Sequence, residues 1–453
     1  MSATRVSERS IFAPPVPADD SDSVSSHEPW SLGKRMRFRF VACYFLLYGF
    51  TAYVGSIPLL GVFADGYSTA MQRLTVWTGR HVLHFGGSLA VVTTASGDTL
   101  RNYVQNFVVL LLAVVGTLVW SMVDRRREYT RAHEWLTAFV RFTLAITMFG
   151  YGFMKIVPTQ MPAPGPDRWI EPLGEYSPMG LLWTFMGYSY VYQVFTGLGE
   201  AIGGFLLCFR RTTTLGALLL TIVLSNVVML NYTFDVPVKI YSTNLLIMAA
   251  FLLAPDFKRL VNVLVLNRSV AARELRPLFP SERASRIAAG LVCLQFGFVL
   301  YGNVSRGLAI YRQSSPTGPV PALFGVYDVV EFTRNGVAVP PLSIDATRWS
   351  RVAFTRGNRA VIRSTPDSVI RLVTSVQPVS KTVLFTGWDQ PLKWSFDFEK
   401  SGSTTAPSGD ERMVLTGLIG RDSIVATLQR VDESRFLLLR RGFHWVQEQP
   451  FIR

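Results

Sequence analysis

Residues 104–123 read VQNFVVLLLAVVGTLVWSMV, an apolar stretch without a single charged side chain. An α-helix rises about 1.5 Å per residue, so a stretch of this length spans the roughly 30 Å of hydrocarbon in a bilayer. Six more apolar stretches predict helices at about 38–58, 136–157, 185–208, 213–232, 238–254 and 286–305. The sequence therefore predicts an α-helical polytopic membrane protein with about seven transmembrane helices.

The basic residues predict the orientation of these helices. The chain carries a formal net charge of +14, and its Lys and Arg residues gather in alternate loops, at 34–37, 125–131, 210–211 and 258–286. Loops that stay in the cytoplasm are enriched in these residues, so a cytoplasmic N-terminus and an external C-terminus are expected, in a bacterial cytoplasmic (inner) membrane. No single long basic face is visible, and a nucleic-acid partner is not expected.

The sequence pattern changes after Arg306. Short runs such as Val326–Phe332 and Ile424–Arg430 alternate apolar and polar residues, and Phe436–Arg440 is predicted as a further strand. Turn dipeptides such as Asn335-Gly336 separate the runs. This pattern predicts a C-terminal antiparallel β-sandwich or barrel.

The first 35 residues are rich in Pro, Ser and Asp, a composition typical of disorder. The predicted organisation has five parts: a disordered cytoplasmic tail (1–35), an N-terminal helix pair with an external loop (36–135), a four-helix unit (136–254), a basic cytoplasmic loop with the last membrane helix (255–310), and an extracytoplasmic β-rich domain (318–453).

Three ionisable residues lie within the predicted membrane helices. Arg141 and Lys155 share one stripe of the third helix, and Glu200 lies on the fourth. Such residues are costly in lipid, so they form buried pairs or serve a proton path or a ligand. One interpretation is that Glu200 pairs with Arg141 and stabilises the fold. The other gives Lys155 and Glu200 catalytic roles and Arg141 a ligand-binding role, although a lysine near a helix end also reaches the interface readily.

A polar pocket is predicted at the outer side of the bundle. The sixth helix begins with Asp235 and Lys239, which lie at a depth similar to that of Lys155. Asp235 is also a plausible N-cap of that helix, with a proline in the first turn. A desolvated lysine can act as a base. The candidate ligand-binding residues that accompany these charges are Tyr151, Tyr232 and Tyr241.

Two histidines lie in the long segment between the first two predicted helices. His81 and His84 are three residues apart, so a continuous helix would place both imidazoles on one face. Two imidazoles without a third ligand are a weak metal signal. An interfacial helix or a contact to a quinone are the alternatives, and no metal is predicted.

Residues 141–254 resemble the DoxX family of bacterial membrane proteins. The resemblance is carried by Arg141-Phe-Thr-Leu, by Tyr151-Gly-Phe-Met-Lys155, by Glu200-Ala-Ile-Gly-Gly204 and by Arg210-Arg211. That family has a four-helix unit with an Arg and a Gly-x-x-Lys on one helix and a Glu-x-x-x-Gly on the next. This chain adds an N-terminal helix pair, a seventh helix and a β domain to that unit.

The resemblance implies a quinone-linked or thiol-linked redox role, since some DoxX members are associated with such systems. A more distant resemblance is to the membrane domain of vitamin K-dependent carboxylases, in which a lysine acts as a base toward a quinol; Lys155 would match it. The expected function is therefore a redox-linked membrane component that binds a quinone or a similar lipid-soluble ligand, with an envelope redox protein as partner. The alternative is a transporter or a scaffold that recruits an envelope partner through its β domain.

Overall fold

The computed structural model describes residues 29–85, 89, 96–271, 278–279, 281–315, 318–342, 347–364, 368–388, 391–401 and 411–452. Residues 1–28 of the predicted tail lie outside these ranges. The described chain forms a helical bundle followed by a β domain.

The helices of the bundle are α1 (Leu32–Gly55), α2 (Gly61–His81), α3 (Leu100–Val123), α4 (Thr130–Ile156), α5 (Pro166–Trp169), α6 (Pro178–Tyr188), α7 (Tyr190–Cys208), α8 (Thr213–Thr233), α9 (Lys239–Leu253), α10 (Phe257–Leu264) and α11 (Glu282–Ser314). Within the described residues, seven helical segments are long and apolar enough to cross a membrane: α1, α3, α4, α7, α8, the α9–α10 segment and α11. The predicted multi-pass architecture is confirmed. The barrel end of the bundle is where α11 ends, and the N-terminal end is where α1 begins.

Helix α4 is the centre of the bundle. Its residues Val140, Leu144 and Met148 follow each other at a spacing of four and are buried, as expected for one face of a helix. They pack in one core with Phe45 of α1 and Leu207 of α7. Helix α11 lies at the edge of the bundle and contacts α4.

The predicted helix 185–208 consists of two helices, because Ser189 interrupts the helical backbone. Its backbone is extended, and its hydroxyl accepts a hydrogen bond of 3.3 Å from the amide of Tyr192. Ser189 is therefore the N-cap of α7, a role that serine favours over a place inside a helix. Helix α6 precedes the break and packs through Leu182 and Met186 in a small separate core.

The β domain is a closed antiparallel barrel, which resolves the alternative between a sandwich and a barrel. Its strands are β1 (Gly325–Arg334), β3 (Trp349–Phe354), β4 (Arg359–Ser364), β5 (Val369–Gln377), β6 (Thr382–Gly387), β7 (Lys393–Ser401), β8 (Arg412–Ile419) and β9 (Asp422–Arg430), with a short β2 (Val337–Ala338) beside the end of β1. Strand β1 closes the barrel by pairing with β9, from Tyr327 opposite Arg430 to Arg334 opposite Ile424. Alternate side chains such as Phe385 and Phe396 fill the core.

One predicted strand is wrong. Leu437–Arg440 forms a short helix, α12, rather than a strand over Phe436–Arg440. A short run of consecutive leucines lacks the alternation of a half-buried strand, so periodicity cannot separate helix from strand there. The predicted turn at Asn335-Gly336 is present, with positive φ angles of 51° and 77°.

The segment between α4 and α6 attaches the bundle to the barrel. Ile170 is buried against Val326, Ala353 and Val361 of the barrel. Beside it, Glu171 pairs with Arg371 of strand β5 and with Arg168, whose Nη1 lies 2.6 Å from the carboxylate. Apolar burial and an ion pair therefore hold the two parts together.

Candidate functional site

The best-defined polar feature of the bundle is an ion pair between α4 and α7. The ammonium nitrogen of Lys155 lies 2.8 Å from each carboxylate oxygen of Glu200. The side chains are 8% and 3% exposed, so both charges are removed from solvent. A carboxylate and an ammonium that are buried together neutralise each other, which is how charges persist inside a membrane protein.

Two glycines bring the helices close enough for this pair. A methyl group added at Gly152 would lie 2.8 Å from the backbone oxygen of Gly197. One added at Gly197 would lie 2.7 Å from the oxygen of Gly152. The two backbones therefore touch one helical turn from Lys155 and Glu200, as small residues allow in membrane helix packing.

The opposite face of α7 packs on α8. A Cβ at Gly203 would lie 2.5 Å from Leu220, and one at Gly199 would lie 3.4 Å from Val223. Gly199 and Gly203 are four residues apart, a spacing of small residues that allows close contact between membrane helices. The structure adds that this pair faces α8, while Gly197 faces α4.

The pairing predicted between Arg141 and Glu200 is wrong. Glu200 pairs with Lys155, which lies near the barrel end of α4, whereas Arg141 lies about 21 Å away along the same helix. Spacing within one helix places charges on a common stripe, but it does not determine which of them meets a charge on a neighbouring helix.

Four tyrosines, termed here the tyrosine cluster, lie between the ion pair and the other side of the bundle: Tyr44, Tyr48, Tyr151 and Tyr241. The ring of Tyr151 lies 5.8 Å from the Lys155 nitrogen and 6.1 Å from the ring of Tyr241. The rings of Tyr44 and Tyr48 stack at 5.9 Å. Of the predicted ligand-binding tyrosines, Tyr151 therefore lies next to Lys155, and Tyr241 lies next to Tyr151.

A groove of about 420 Å³ opens at the far side of the tyrosine cluster, between α1, α3, α8 and α9. The hydroxyl of Tyr44 donates to the side-chain oxygen of Asn244 at 2.5 Å and approaches that of Asn106 at 3.3 Å. The rim is apolar and exposed, so the groove faces lipid. Its lining residues are Phe40, Val41, Tyr44, Phe45, Asn106, Leu110, Tyr232, Ile240, Thr243, Asn244 and Ile247.

The matched relative is the protein called Uncharacterized protein YwoB of Bacillus subtilis (strain 168). It is 36% identical over 128 residues, which are 28% of this chain and 81% of YwoB. The chain belongs to the YwoB family. No family model matches the chain. No solved structure matches it.

The other predicted charges form a second cluster at the start of α9. The Lys239 nitrogen lies 2.8 Å from Asp235 and 3.9 Å from Asp98. Lys155, by contrast, has Glu200 as its partner. The charges predicted to line one polar pocket therefore form two ion-paired clusters, without an ion pair between Lys155 and Asp235 in the described part of the chain. Tyr232 lines the groove.

Asp235 is also not the N-cap of α9. The helix begins at Lys239, and the carboxylate of Asp98 accepts hydrogen bonds from the amides of Lys239 and Ile240, at 2.7 and 3.1 Å. Asp235 lies in the preceding turn with a φ of 51°. A carboxylate from the α2–α3 connection thus supplies the cap and offsets the positive end of the helix.

The two histidines do not share a helical face. Helix α2 ends at His81, and His84 has a left-handed φ of 54°. The ring of His81 stacks on Trp77 at 5.4 Å, and both histidines are exposed. Among the described residues, no group of three or more His, Cys, Asp or Glu side chains is close enough to hold a metal.

Four polar residues of the two sites were not predicted from the sequence. Three of them line the groove and the fourth caps α9: Tyr44, Asn106, Asn244 and Asp98. Asn106 and Asn244 lie within predicted membrane helices, where polar side chains mark interior or cavity-facing positions. An uncharged polar residue within an apolar run is therefore the sequence signal that could have identified both asparagines. The cap by Asp98 carries no local signal, because it acts across 141 residues.

Proposed function

We propose that this protein is a redox-linked membrane component that binds a quinone or a similar lipid-soluble carrier in the groove between α1, α3, α8 and α9. The observation that carries the proposal is the combination of an apolar, lipid-facing rim with a polar floor. A quinone has the same division, with a long apolar tail and a head that carries two carbonyl oxygens. Ligand sites of this kind are mostly apolar with a few polar groups that fix orientation.

The floor of the groove offers hydrogen bonds to such a head. Tyr44 donates to Asn244, and the amide of Asn244 donates to the backbone oxygen of Ile240 at 2.9 Å. The side-chain amide of Asn106 has no acceptor among the residues described, which leaves its N–H groups for a ligand carbonyl. Asn106 and Asn244 each lie within about 10 Å of the barrel end of their helices.

The Lys155–Glu200 pair has a supporting role in this proposal. It lies across the tyrosine cluster from the groove and carries an ammonium and a carboxylate that can exchange a proton. Quinone reduction takes up two electrons and two protons. The electrons would come from an envelope redox partner, and Lys155 and Glu200 would hold protons for the head group.

We also propose that the N-terminus is cytoplasmic and that the barrel is periplasmic or extracellular, in a bacterial cytoplasmic membrane. In support, the basic loops lie at one end of the bundle. Arg35 donates to the backbone oxygen of Arg126 at 3.5 Å, and Arg131 donates to that of Leu278. Basic loops on one side are typical of the cytoplasmic side.

The test is thermal unfolding of the purified protein with short-chain ubiquinone and menaquinone analogues. A ligand that binds only the folded state increases the free energy of unfolding by about 2.7 kcal/mol at a concentration of a hundred times Kd. The melting temperature rises as a result. Asn244→Leu removes the floor and should abolish the shift. The matched control is Asn226→Leu, an exposed asparagine on α8, which should keep it. No shift at saturating analogue in the wild type contradicts the proposal.

The alternative is a scaffold or transporter that recruits an envelope partner through the β domain. The observation that favours it is the exposed apolar C-terminal segment, in which Phe443, Trp445 and Val446 are 78%, 91% and 75% exposed. Deleting residues 441–453 should remove a specific captured partner if this function holds. Unchanged capture, or none with the full chain, favours the ligand-binding function.

A further inference from the structure

Arg141 is a buried cation whose guanidinium lacks a carboxylate partner among the described residues. Arg141 is only 6% exposed and lies in the N-terminal half of the membrane helix α4. Its Nε atom is buried without a hydrogen-bond acceptor. The guanidinium carbon lies 4.6 Å from the centre of the Phe142 ring. A buried guanidinium usually has a hydrogen-bonded anion beside it.

Arg141 feels the positive charge of a second arginine. Arg210 and Cys208 are the groups that act electrostatically on its guanidinium. Two arginines at one place repel each other, which adds to the cost of burying the first. A negative group between them would remove both penalties, because each arginine carries several N–H donors in a planar fork that matches a phosphate or a carboxylate.

The depth of the site suits a lipid head. Helix α7 ends at Cys208, and Arg210 lies in the short connection to α8. Arg141 lies opposite this end of α7, and so at the N-terminal end of the bundle where the polar and apolar layers of a bilayer meet. Arginines at this depth reach toward the head groups of lipids.

Helices α7 and α11, which both contact α4, carry exposed apolar side chains. Phe205 on α7 and Phe209 directly after it are 53% and 52% exposed, and their rings contact each other at 5.2 Å. On α11, Leu294 and Phe298 are 67% and 55% exposed. An acyl chain attached to a head group at Arg141 has apolar side chains to lie against on both helices.

We propose that Arg141, together with Arg210, binds the phosphate group of an anionic amphiphile at the N-terminal end of the bundle, beside α4 and the connection from α7 to α8. The site is separate from the groove between α1, α3, α8 and α9, and it does not depend on the quinone proposal. The phosphate accepts hydrogen bonds from the guanidinium of Arg141, and the acyl chains cover the exposed aromatic side chains of α7.

The test measures the melting temperature of delipidated protein in a neutral detergent during titration with phosphatidylglycerol, phosphatidylcholine or inorganic phosphate. The variant is Arg141→Met, which keeps the length of the side chain and removes its charge. The control is Arg211→Met, which removes the same charge at an exposed position. Phosphatidylglycerol should stabilise the wild type and the control alike, and about fivefold more lipid should be needed for Arg141→Met.

The titrations with phosphatidylglycerol and with inorganic phosphate distinguish a lipid from a free phosphate ion. Stabilisation by phosphatidylglycerol but not by inorganic phosphate supports a lipid, and stabilisation by both, lost in Arg141→Met, supports a free phosphate at the same site. Without any phosphate compound, Arg141→Met should be at least as stable as the wild type, because it removes an uncompensated charge. A large loss of stability there, or an unchanged lipid titration in Arg141→Met, overturns the proposal.

Discussion

The ammonium of Lys155 lies 2.8 Å from both carboxylate oxygens of Glu200, a residue 45 positions later in the chain. The pair lies where Gly152 and Gly197 let the backbones of α4 and α7 touch. The close packing of small residues therefore brings the two charged side chains within reach of each other, and the charges neutralise each other.

Replacing one member of this pair should lower the free energy of unfolding more than replacing both. We expect Lys155→Met to destabilise the protein by about 3–5 kcal/mol, because it leaves the Glu200 carboxylate buried and unpaired. The double variant Lys155→Met with Glu200→Met should recover most of that loss, since no charge remains. Thermal unfolding in detergent measures both. Equal losses in the single and the double variant would show that the pair is not energetically coupled.

The glycine contact between α4 and α7 gives a second prediction. Gly152→Ala places a methyl group 2.8 Å from the backbone oxygen of Gly197, so the helices must separate. We expect a loss of about 1–3 kcal/mol, the usual effect of overpacking. Gly150→Ala is the control on the same helix, because its nearest neighbour is a side-chain atom of Asn303 at 4.0 Å. It should be neutral or slightly stabilising, since alanine favours helices.

The sequence was sufficient for the membrane helices and for the type of the C-terminal domain. A stretch such as 104–123 has one physical solution in a chain of this kind, a helix across the bilayer. The alternation in Val326–Phe332 likewise has one solution, a strand with two different faces. Both patterns are local and repeat along the segment, so they predict the element without knowledge of how it packs.

The candidate site was much less predictable. The sequence identifies Glu200 as a buried charge, but it does not identify the partner. That partner depends on how α4 is rotated and shifted along α7, which follows from non-local contacts such as that of Gly152 with Gly197. The break at Ser189 was missed because the apolar residues continue across it. Functional roles for Lys155 and Glu200 stay predictions.

The cap of α9 leads to a third prediction. Asp98→Ala removes two hydrogen bonds to the first amides of α9 and one of the carboxylates near Lys239. The expected loss is about 1–2 kcal/mol, typical of a lost N-cap. Asp235→Ala is the comparison, because that side chain is 82% exposed and exposed ion pairs contribute little. If chemical denaturation gives the same loss for both, the capping role of Asp98 is refuted.

The barrel should lose stability in acid through Glu411. Burial acts to raise the pKa of this carboxyl, but hydrogen bonds from Lys400 (2.5 Å) and Arg430 (2.8 Å) outweigh it and hold the pKa below its ordinary value of 4.5. A lowered pKa in the folded state means that the unfolded state takes up the proton first. The stabilisation is therefore complete above the ordinary pKa and is lost as the pH falls through the lower one.

The measurement is thermal unfolding of the full chain between about pH 7 and about pH 3, followed by the circular dichroism of the β domain. Glu411→Gln should lower stability at neutral pH and flatten its decline below the ordinary carboxyl pKa. Glu399→Gln replaces an exposed carboxylate on β7 and should leave the profile unchanged. A profile of Glu411→Gln that parallels the wild type argues against this role.

The central claim, a lipid-soluble ligand in the groove, is tested most directly by a high-resolution density map of the protein purified from its own membrane in mild detergent. We expect elongated non-protein density whose polar head lies within hydrogen-bonding distance of Tyr44, Asn106 or Asn244, the residues of the polar floor. An empty groove, or a ligand head beside Lys155 and Glu200 instead, would contradict it.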